Sequence, residues 1–518
     1  MELLQFHHYL LLLIFLFLFL KLITNSKHKS NSKNLNASLP PGPSKLPIIG
    51  SMHHLLVGTL PHITLRNLSK IYGPLMHLKL GEVSTVVVTS REIARELFTT
   101  HDLKFVSRPN IIAADIAIYG GMDILFAPYG AYWRQIRKIC VMEILSAKRV
   151  LSFRHVREEE VLDLVKQINS MSSSHSTANL SEMLHSLTNN ITSRVAFGMK
   201  CKDVGEYLKA MKEGLELASG FNAADLFPSV GLLISSVTGM RRKLERCCRT
   251  IDTILEAIIE ERREIWASMV KVREGEAVEG NILDVLFNLQ AQGGLVGFPF
   301  TQTTIKAVIF DIFAAGSGTA ASSMTWTMSE LIRNPRVMKK LQAEIREALR
   351  GKASVSEEDI TNLSYLQLVI KESLRLHPPA PLLVPRECTE TCKINGHIIP
   401  KKSRVIFNAW AMGRDPRYWD NPEEFKPERF ESSSGPIDFV GSSYEYIPFG
   451  GGRRICPGVH FGLATMGLTL VQLLYHFDWG LPQGVSELDM SESPGLGARR
   501  KFDLCLRATP YGPAYVLN

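Results

Sequence analysis

The chain has 518 residues and 58.0 kDa, 45% of them apolar and 21% charged. That ordinary globular balance excludes a mostly disordered, a collagen-like or a multi-spanning membrane protein. The length suggests about three domains or one large fold, with a sizeable core in either case, and the net charge of +8 with pI near 8.9 speaks for an acidic membrane or partner rather than nucleic acid.

Eight cysteines are too few for a disulfide scaffold in a chain this long. Cys388-x-x-x-Cys392 has near-ligand spacing, but no second pair completes a four-ligand zinc site. A reduced, cytosol-facing body is the expectation.

Residues 3–23 are nearly all apolar, and about 20 such residues at a 1.5 Å rise span a ~30 Å hydrocarbon layer. Glu2 is the one early charge, while Lys21, Lys27, Lys29 and Lys33 follow the run, and no Ala-x-Ala cleavage site is present. This pattern predicts an uncleaved single-pass anchor over residues 1–24 with the body in the cytosol. The sequons at Asn36 and Asn67 then stay unused. A polar linker over residues 25–39 leads into Leu39-Pro40-Pro41-Gly42-Pro43, a stiff extended hinge that starts a body running from 40 to 518.

That body has no internal repeat and no second long linker. Apolar spacing near 3.6 predicts helices at residues 133–142, 244–265 and 337–349. Strand-like runs are few: residues 75–80, 85–89 and 404–408. The fold class is therefore mainly α with small β-sheets. Residues 275–297, rich in glycine and charge, read as a surface loop holding a short helix.

Residues 448–458 read Pro-Phe-Gly-Gly-Gly-Arg-Arg-Ile-Cys-Pro-Gly. Gly450, Gly451 and Gly452 allow a tight turn close to a flat object, and Arg454 offers a fork for a carboxylate. Cys456 precedes an apolar helix, where amides and the helix N-terminus favour a thiolate. One thiolate suits a metal whose other ligands come from a cofactor, namely haem. A buried structural cysteine is the plainer alternative. A phosphate loop is not supported, since no Lys-Ser/Thr follows the glycines.

Phe449-x-x-Gly452-x-Arg454-x-Cys456-x-Gly458 resembles the haem-binding signature of the cytochromes P450, the family with thiolate-ligated haem. Four further motifs match in order: Trp133-x-x-x-Arg137, Ala315-Gly316-x-x-Thr319, Glu372-x-x-Arg375 and Pro427-Glu428-Arg429-Phe430. With the anchor and hinge, the resemblance covers essentially the whole chain and implies one large haem domain of the cytochrome P450 fold. It implies haem b with Cys456 as axial iron ligand. Arg137, Arg386 and Arg454 would neutralise the propionates, and Trp133 would add an indole donor. Glu372, Arg375 and Arg429 would form a buried ion triad near the proximal loop. Thr319 would serve the bound oxygen. The acid that usually precedes this threonine is replaced by Gly318, so the acid–alcohol pair is incomplete, and Gly316 and Gly318 are expected to open a groove in the helix.

The anchor, the proline hinge and residues 376–386 look like the plant microsomal A-type group. Residues 151–160 and the Gly318-Thr319 pair resemble a monocot branch that oxidises terpenoid defence compounds. The resemblance implies a monooxygenase of the endoplasmic reticulum, fed with NADPH-derived electrons by a cytochrome P450 reductase, with cytochrome b5 as a second donor. Nucleic acid is not an expected partner. The substrate is expected to be a small apolar metabolite, foremost a sesquiterpenoid or diterpenoid. An alkaloid or phenylpropanoid is the alternative substrate, and a haem-thiolate isomerase or dehydratase the alternative chemistry. By family position, residues 111–124, 217–226, 312–319, 380–384 and 496–498 should line the pocket, with Asp115, Asp123 and Asp225 as its few carboxylates. Arg134, Lys138 and Arg453 should form a basic face for the reductase.

Overall fold

Sustained 3.6-residue spacing becomes helix throughout the chain, and the ends are set by local chemistry. The computed structural model describes residues 39–511, apart from residues 57–59, 118, 174–175, 203, 218–220, 273–279, 295–296, 353–354, 432–436, 440–442 and 496. The expected anchor and all of the polar linker but its last residue lie outside the described residues.

Seven helices build the site: α1 Ala131–Ile139, α2 Arg154–Ser173, α3 Leu180–Phe197, α4 Met240–Val272, α5 Gln302–Arg333, α6 Ser364–Leu376 and α7 Val459–His476. The Asn179 side chain caps α3 by accepting from Glu182 N, and Gly198 ends it at φ +80°, a conformation that favours glycine. Thr301 caps α5 through Thr304 N, and Pro335 follows its last turn. Phe313, Ala321, Met324, Trp326, Met328 and Leu331 are all buried. Apolar on most sides, α5 is a core helix, although it is long and apolar enough to cross a membrane.

Helix α3 lies against α5. Thr188 Oγ1 donates to Ser317 O at 2.6 Å. A Cβ on Gly316 would sit 2.9 Å from Thr192 Oγ1, so Gly316 is needed for this approach. The expectation that it opens an oxygen groove is thereby corrected: its open side is filled by the neighbouring helix.

The main sheet joins β1 Leu75–Leu80, β2 Val83–Val88, β3 Arg386–Glu387 and β4 Arg404–Phe407 in the order β1-β2-β4-β3. β2 runs parallel to β4, with Thr85 opposite Arg404, and the other two pairings are antiparallel. A hairpin, β5 Glu492–Ser493 and β6 Arg499–Arg500, is mounted on α5. The Ala498 carbonyl accepts from both Ser322 Oγ at 2.9 Å and Trp326 Nε1 at 2.8 Å.

Two expectations change. Helix α4 extends beyond residues 244–265 at both ends. Within 275–297, residues Ile282–Ala291 form a helix with an Asn281–Asp284 capping box, and its Ile282, Leu283, Leu286 and Phe287 belong to the main core. Flanking glycines and charges had marked as surface a segment whose apolar side is buried.

Candidate functional site

The Cys456 loop is held from several directions. Cys456 N donates to Phe449 O at 2.9 Å, and Phe449 meets Phe439 edge-on. Gly450 and Gly452 have φ of +76° and +61°, as the expected tight turn demands. The crowding at the glycines comes from the protein itself. A Cβ at Gly451 would lie 2.9 Å from the Phe98 ring and one at Gly452 2.4 Å from Asp102 Oδ1. Burial pushes the Cys456 thiol up, while the Gly458 amide and Arg137 pull it down.

Behind the loop, Glu372 accepts from Arg375 Nε at 2.7 Å and Nη2 at 2.8 Å, and from Arg429 Nε at 3.0 Å. Arg375 also donates to the carbonyls of Gly413, Pro422 and Glu424. The triad thus ties α6 to the segment before the Cys456 loop.

A cavity of about 1650 Å³ reaches from Cys456 to α5, α3 and α4. Asp311, Ala315 and Thr319 are four apart and so share one face of α5, and all three line the cavity. Thr319 Oγ1 donates to Ala315 O at 2.7 Å, which leaves its lone pairs to accept. Asp311 Oδ2 accepts from Ile124 N at 2.7 Å and Leu125 N at 3.2 Å. Burial and nearby Asp123 push the Asp311 carboxyl well above its ordinary value, against the two amides that pull it down. At one end of the cavity Asp252 Oδ1 accepts from Tyr119 Oη and from Lys306 Nζ, both at 2.9 Å.

Four arginines converge on the Cys456 side. Arg454 donates to the carbonyls of Val106, Ile124, Leu125 and Ala127. Arg386 pairs with Asp102 at 2.8 Å and donates to Gly451 O, and Arg137 donates to Ile455 O. Arg108, the fourth, donates to Val384 O and Pro385 O. Burial, then Arg454 and Arg386, depress Arg108 well below its ordinary value. Burial, followed by Arg386, pushes Arg454 down to about 9.

The cytochrome P450 family profile matches residues 40–506. The chain belongs to this family. Premnaspirodiene oxygenase of Hyoscyamus muticus is 51% identical over 93% of this chain and 95% of its own. Desmethyl-deoxy-podophyllotoxin synthase of Sinopodophyllum hexandrum is 53% identical over 93% and 94%. 5-Epiaristolochene 1,3-dihydroxylase of Nicotiana tabacum is 50% identical over 93% and 95%. A zebra fish cytochrome P450 with progesterone superimposes with a TM-score of 0.74 at 24% identity, covering 88% of this chain and all of that one; it bears on the fold alone. These plant relatives support the A-type group. The protein is a haem-containing monooxygenase that takes NADPH-derived electrons through a reductase.

The residues present fit a haem. Among the described residues, the carboxylates that act on Arg108, Arg386 and Arg454 are Asp102 and Asp123, and Asp123 is itself pushed up to about 6 by burial. Two haem propionates would supply the missing negative charge. Cys456 lies on the same cavity wall as Arg137, Arg386 and Arg454.

Several expected roles shift. Trp133 Nε1 is already bonded to Ile124 O at 2.9 Å, and its ring lies 4.1 Å from the Arg454 guanidinium. In this arrangement the Trp133 ring supports the Arg454 guanidinium. Arg454 is fixed on the cavity wall by its bonds to backbone carbonyls. Arg453 is half-exposed and paired with Asp102 at 2.9 Å, so it is a weaker docking cation than Arg134 and Lys138, which are exposed on α1.

Among pocket segments, Ile111, Ala114, Ile116, Ile124, Ala380, Leu383 and Val384 line the cavity as expected. Of the segment 217–226, residues 218–220 lie outside the described residues and the others are not on the wall; Tyr207, Leu208 and Met211 are. Residue 496 lies outside the described residues, while Gly495 and Gly497 line the cavity. Asp115, Asp123 and Asp225 are not on the wall: Asp123 bonds Phe126 N and Ala127 N, and Asp225 bonds Ile112 N. Arg108 and Asp311 were missed. Asp311 stood one residue before the segment read as pocket, while Arg108 belongs to no spacing pattern.

Proposed function

We propose that this cytochrome P450 inserts one oxygen atom into a small apolar plant metabolite, foremost a sesquiterpenoid or diterpenoid. The observation that carries this reading is the apolar stretch of cavity wall shared with Thr319. Ile111, Ala114, Ile116, Leu383 and Val384 supply apolar surface, and the one acid on that face of α5, Asp311, is engaged by two amides and shifted towards its neutral form. Such a surface suits an uncharged hydrocarbon skeleton, and Asp252, also on the cavity, is already paired with Lys306. Relatives named as an oxygenase and a dihydroxylase favour oxygen insertion over an isomerase or dehydratase.

Haem supplies the oxygen chemistry, and this chain's residues do the rest. Cys456 would hold the haem iron through its thiolate. Arg137, Arg386 and Arg454, joined by Arg108, balance the propionates. Phe449 packs behind the loop, and the Glu372–Arg375–Arg429 triad keeps it in place. Thr319 accepts a hydrogen bond on the distal side. Co-expression in yeast with the reductase and a panel of terpene synthases tests the substrate class. NADPH-dependent oxidised terpenoids are expected by mass spectrometry. Turnover of alkaloid or phenylpropanoid precursors alone would overturn it.

The anchor at residues 1–24 and a seat on the endoplasmic reticulum belong to the same proposal. Helix Gly231–Val237 leaves Leu232, Leu233 and Val237 about two-thirds exposed. Its approach is pinned to the β1–β2 turn by Ser229 and Leu226 bonds to Glu82, close to where Pro41 meets His77. An apolar face beside the chain's entry suits a bilayer surface. Deleting residues 1–24 should leave partial membrane binding that Leu232→Ser with Leu233→Ser removes. A fully soluble deletion variant would take this helix off the membrane. Cytochrome b5 would share the α1 face with the reductase.

A further inference from the structure

We propose that a polar path between α3, α5 and the β5–β6 hairpin carries protons from the protein surface to Gly318 and Thr319, in place of the carboxylate that α5 lacks. The proposal rests on the monooxygenase activity, whose balance is RH + O2 + 2e⁻ + 2H⁺ → ROH + H2O. The electrons come from NADPH through the reductase. Two protons must therefore reach the distal side in each turnover. When they arrive without productive insertion, the same electrons and protons leave as hydrogen peroxide, O2 + 2e⁻ + 2H⁺ → H2O2.

Three features place the path. Glu182, His185 and Asn189 are spaced three and four apart, so they share one face of α3, and they line the same cavity as Gly318 and Arg499. Their exposure falls inward: Glu182 is exposed, His185 half-buried and Asn189 1% exposed. Asn189 Oδ1, at the inner end, has no hydrogen-bond partner in the protein. An unsatisfied buried amide oxygen costs ~1–3 kcal/mol, and a polar cavity beside it is where an ordered water belongs.

The far end explains why an acid is absent at 318. A Cβ on Gly318 would lie 3.3 Å from Arg499 Nη2. A carboxylate there would pair with the guanidinium instead of passing protons. With glycine, the Arg499 guanidinium can approach the α5 backbone closely and hold water in the adjoining cavity. His185 is pushed down to about 4, chiefly by burial and then by Arg499. A neutral imidazole can accept at one nitrogen while donating from the other. The plainer reading, that these α3 side chains only seat the C-terminal strand, accounts for Ser181 and Asn179, which bond Leu504 N and Asp503. It does not account for Asn189.

The test is Asn189→Leu, which blocks the path with an apolar side chain of similar size, compared with wild type, Thr319→Ala and Asn189→Ser in the full-length enzyme with reductase. Asn189→Leu should keep the carbon monoxide difference band and the substrate-induced spectral shift. It should release several-fold more peroxide per NADPH and show a larger solvent deuterium isotope effect on product formation. Asn189→Ser should recover much of the lost coupling. A high-resolution crystal structure should show ordered water between Asn189 and Gly318 in wild type and none in Asn189→Leu. Unchanged peroxide per NADPH in Asn189→Leu, or a dry gap in wild type, overturns the proposal. Should Asn189→Leu fail to hold haem, His185→Leu carries the same measurements nearer the mouth. Absence of any NADPH-dependent product in wild type would instead strike at the monooxygenase activity.

Discussion

On the Cys456 side of the cavity, charge is bound to charge and to backbone. Glu372, Arg375, Arg386 and Arg454 each make several hydrogen bonds, and the glycine loop is pressed against Phe98 and Asp102. On the α5 side, Asn189 keeps a buried oxygen without a partner, Gly318 lets Arg499 approach the helix, and the carboxyl of Asp311 is shifted towards its neutral form. The first region is fixed so that one sulfur holds one position. The second is loosened where small molecules, water and substrate must come and go. A fixed region can be written in a few residue types at set spacing, whereas a loosened one is defined by what surrounds an opening.

The strongest break of this contrast is Cys456→Ser. A hydroxyl cannot replace the thiolate donor, so the family's carbon monoxide difference band should vanish from the reduced protein. Retention of that band would free Cys456 from the iron. Next in size is Glu372→Ala, which strands Arg375 and Arg429 without their buried partner. Loss of one member of a buried pair costs about 3–5 kcal/mol. Haem content and the unfolding midpoint should both fall, and a midpoint near wild type would show that the triad is not holding the loop.

The two glycines of α5 sharpen the comparison, because they should respond with opposite signs. Gly316→Ala drives a methyl into Thr192 and should destabilise by ~1–3 kcal/mol. Gly318→Ala meets only the end of the Arg499 side chain and should be neutral or gain up to ~1 kcal/mol from helix propensity. Paired denaturant titrations read both, and equal effects would remove the distinction. The smallest effect is expected at the outer face of α1. Arg134→Glu with Lys138→Glu should raise the reductase concentration for half-maximal turnover, most clearly at low salt. No change there would move the docking site elsewhere.

What was legible in the sequence follows the same division. The Cys456 loop, Glu372-x-x-Arg375 and the long α5 helix are local patterns, and they could be read as such. Arg108 and Asp311 were not legible, because their roles come from chain segments brought together by folding: Arg108 reaches residues 384 and 385, and Asp311 reaches 124 and 125. Gly316 and Gly318 look alike in sequence and differ only in what stands opposite each one. The carbonyls that hold Trp133 and Arg454 in place, of Ile124 and Ala127 among others, are revealed by no spacing rule.

The double acceptor at Ala498 has a practical meaning for catalyst design. Because Ser322 and Trp326 both fasten this one carbonyl to the central helix, the hairpin behaves as a tool holder with a replaceable bit. Pro494, Gly495 and Gly497 reach the cavity from its tip, while the mount stays on α5. A library randomised at those three positions would sample new pocket outlines on an unchanged bracket. Varying Ser322 or Trp326 would shift the bracket itself, and with it the spacing between Arg499 and Gly318.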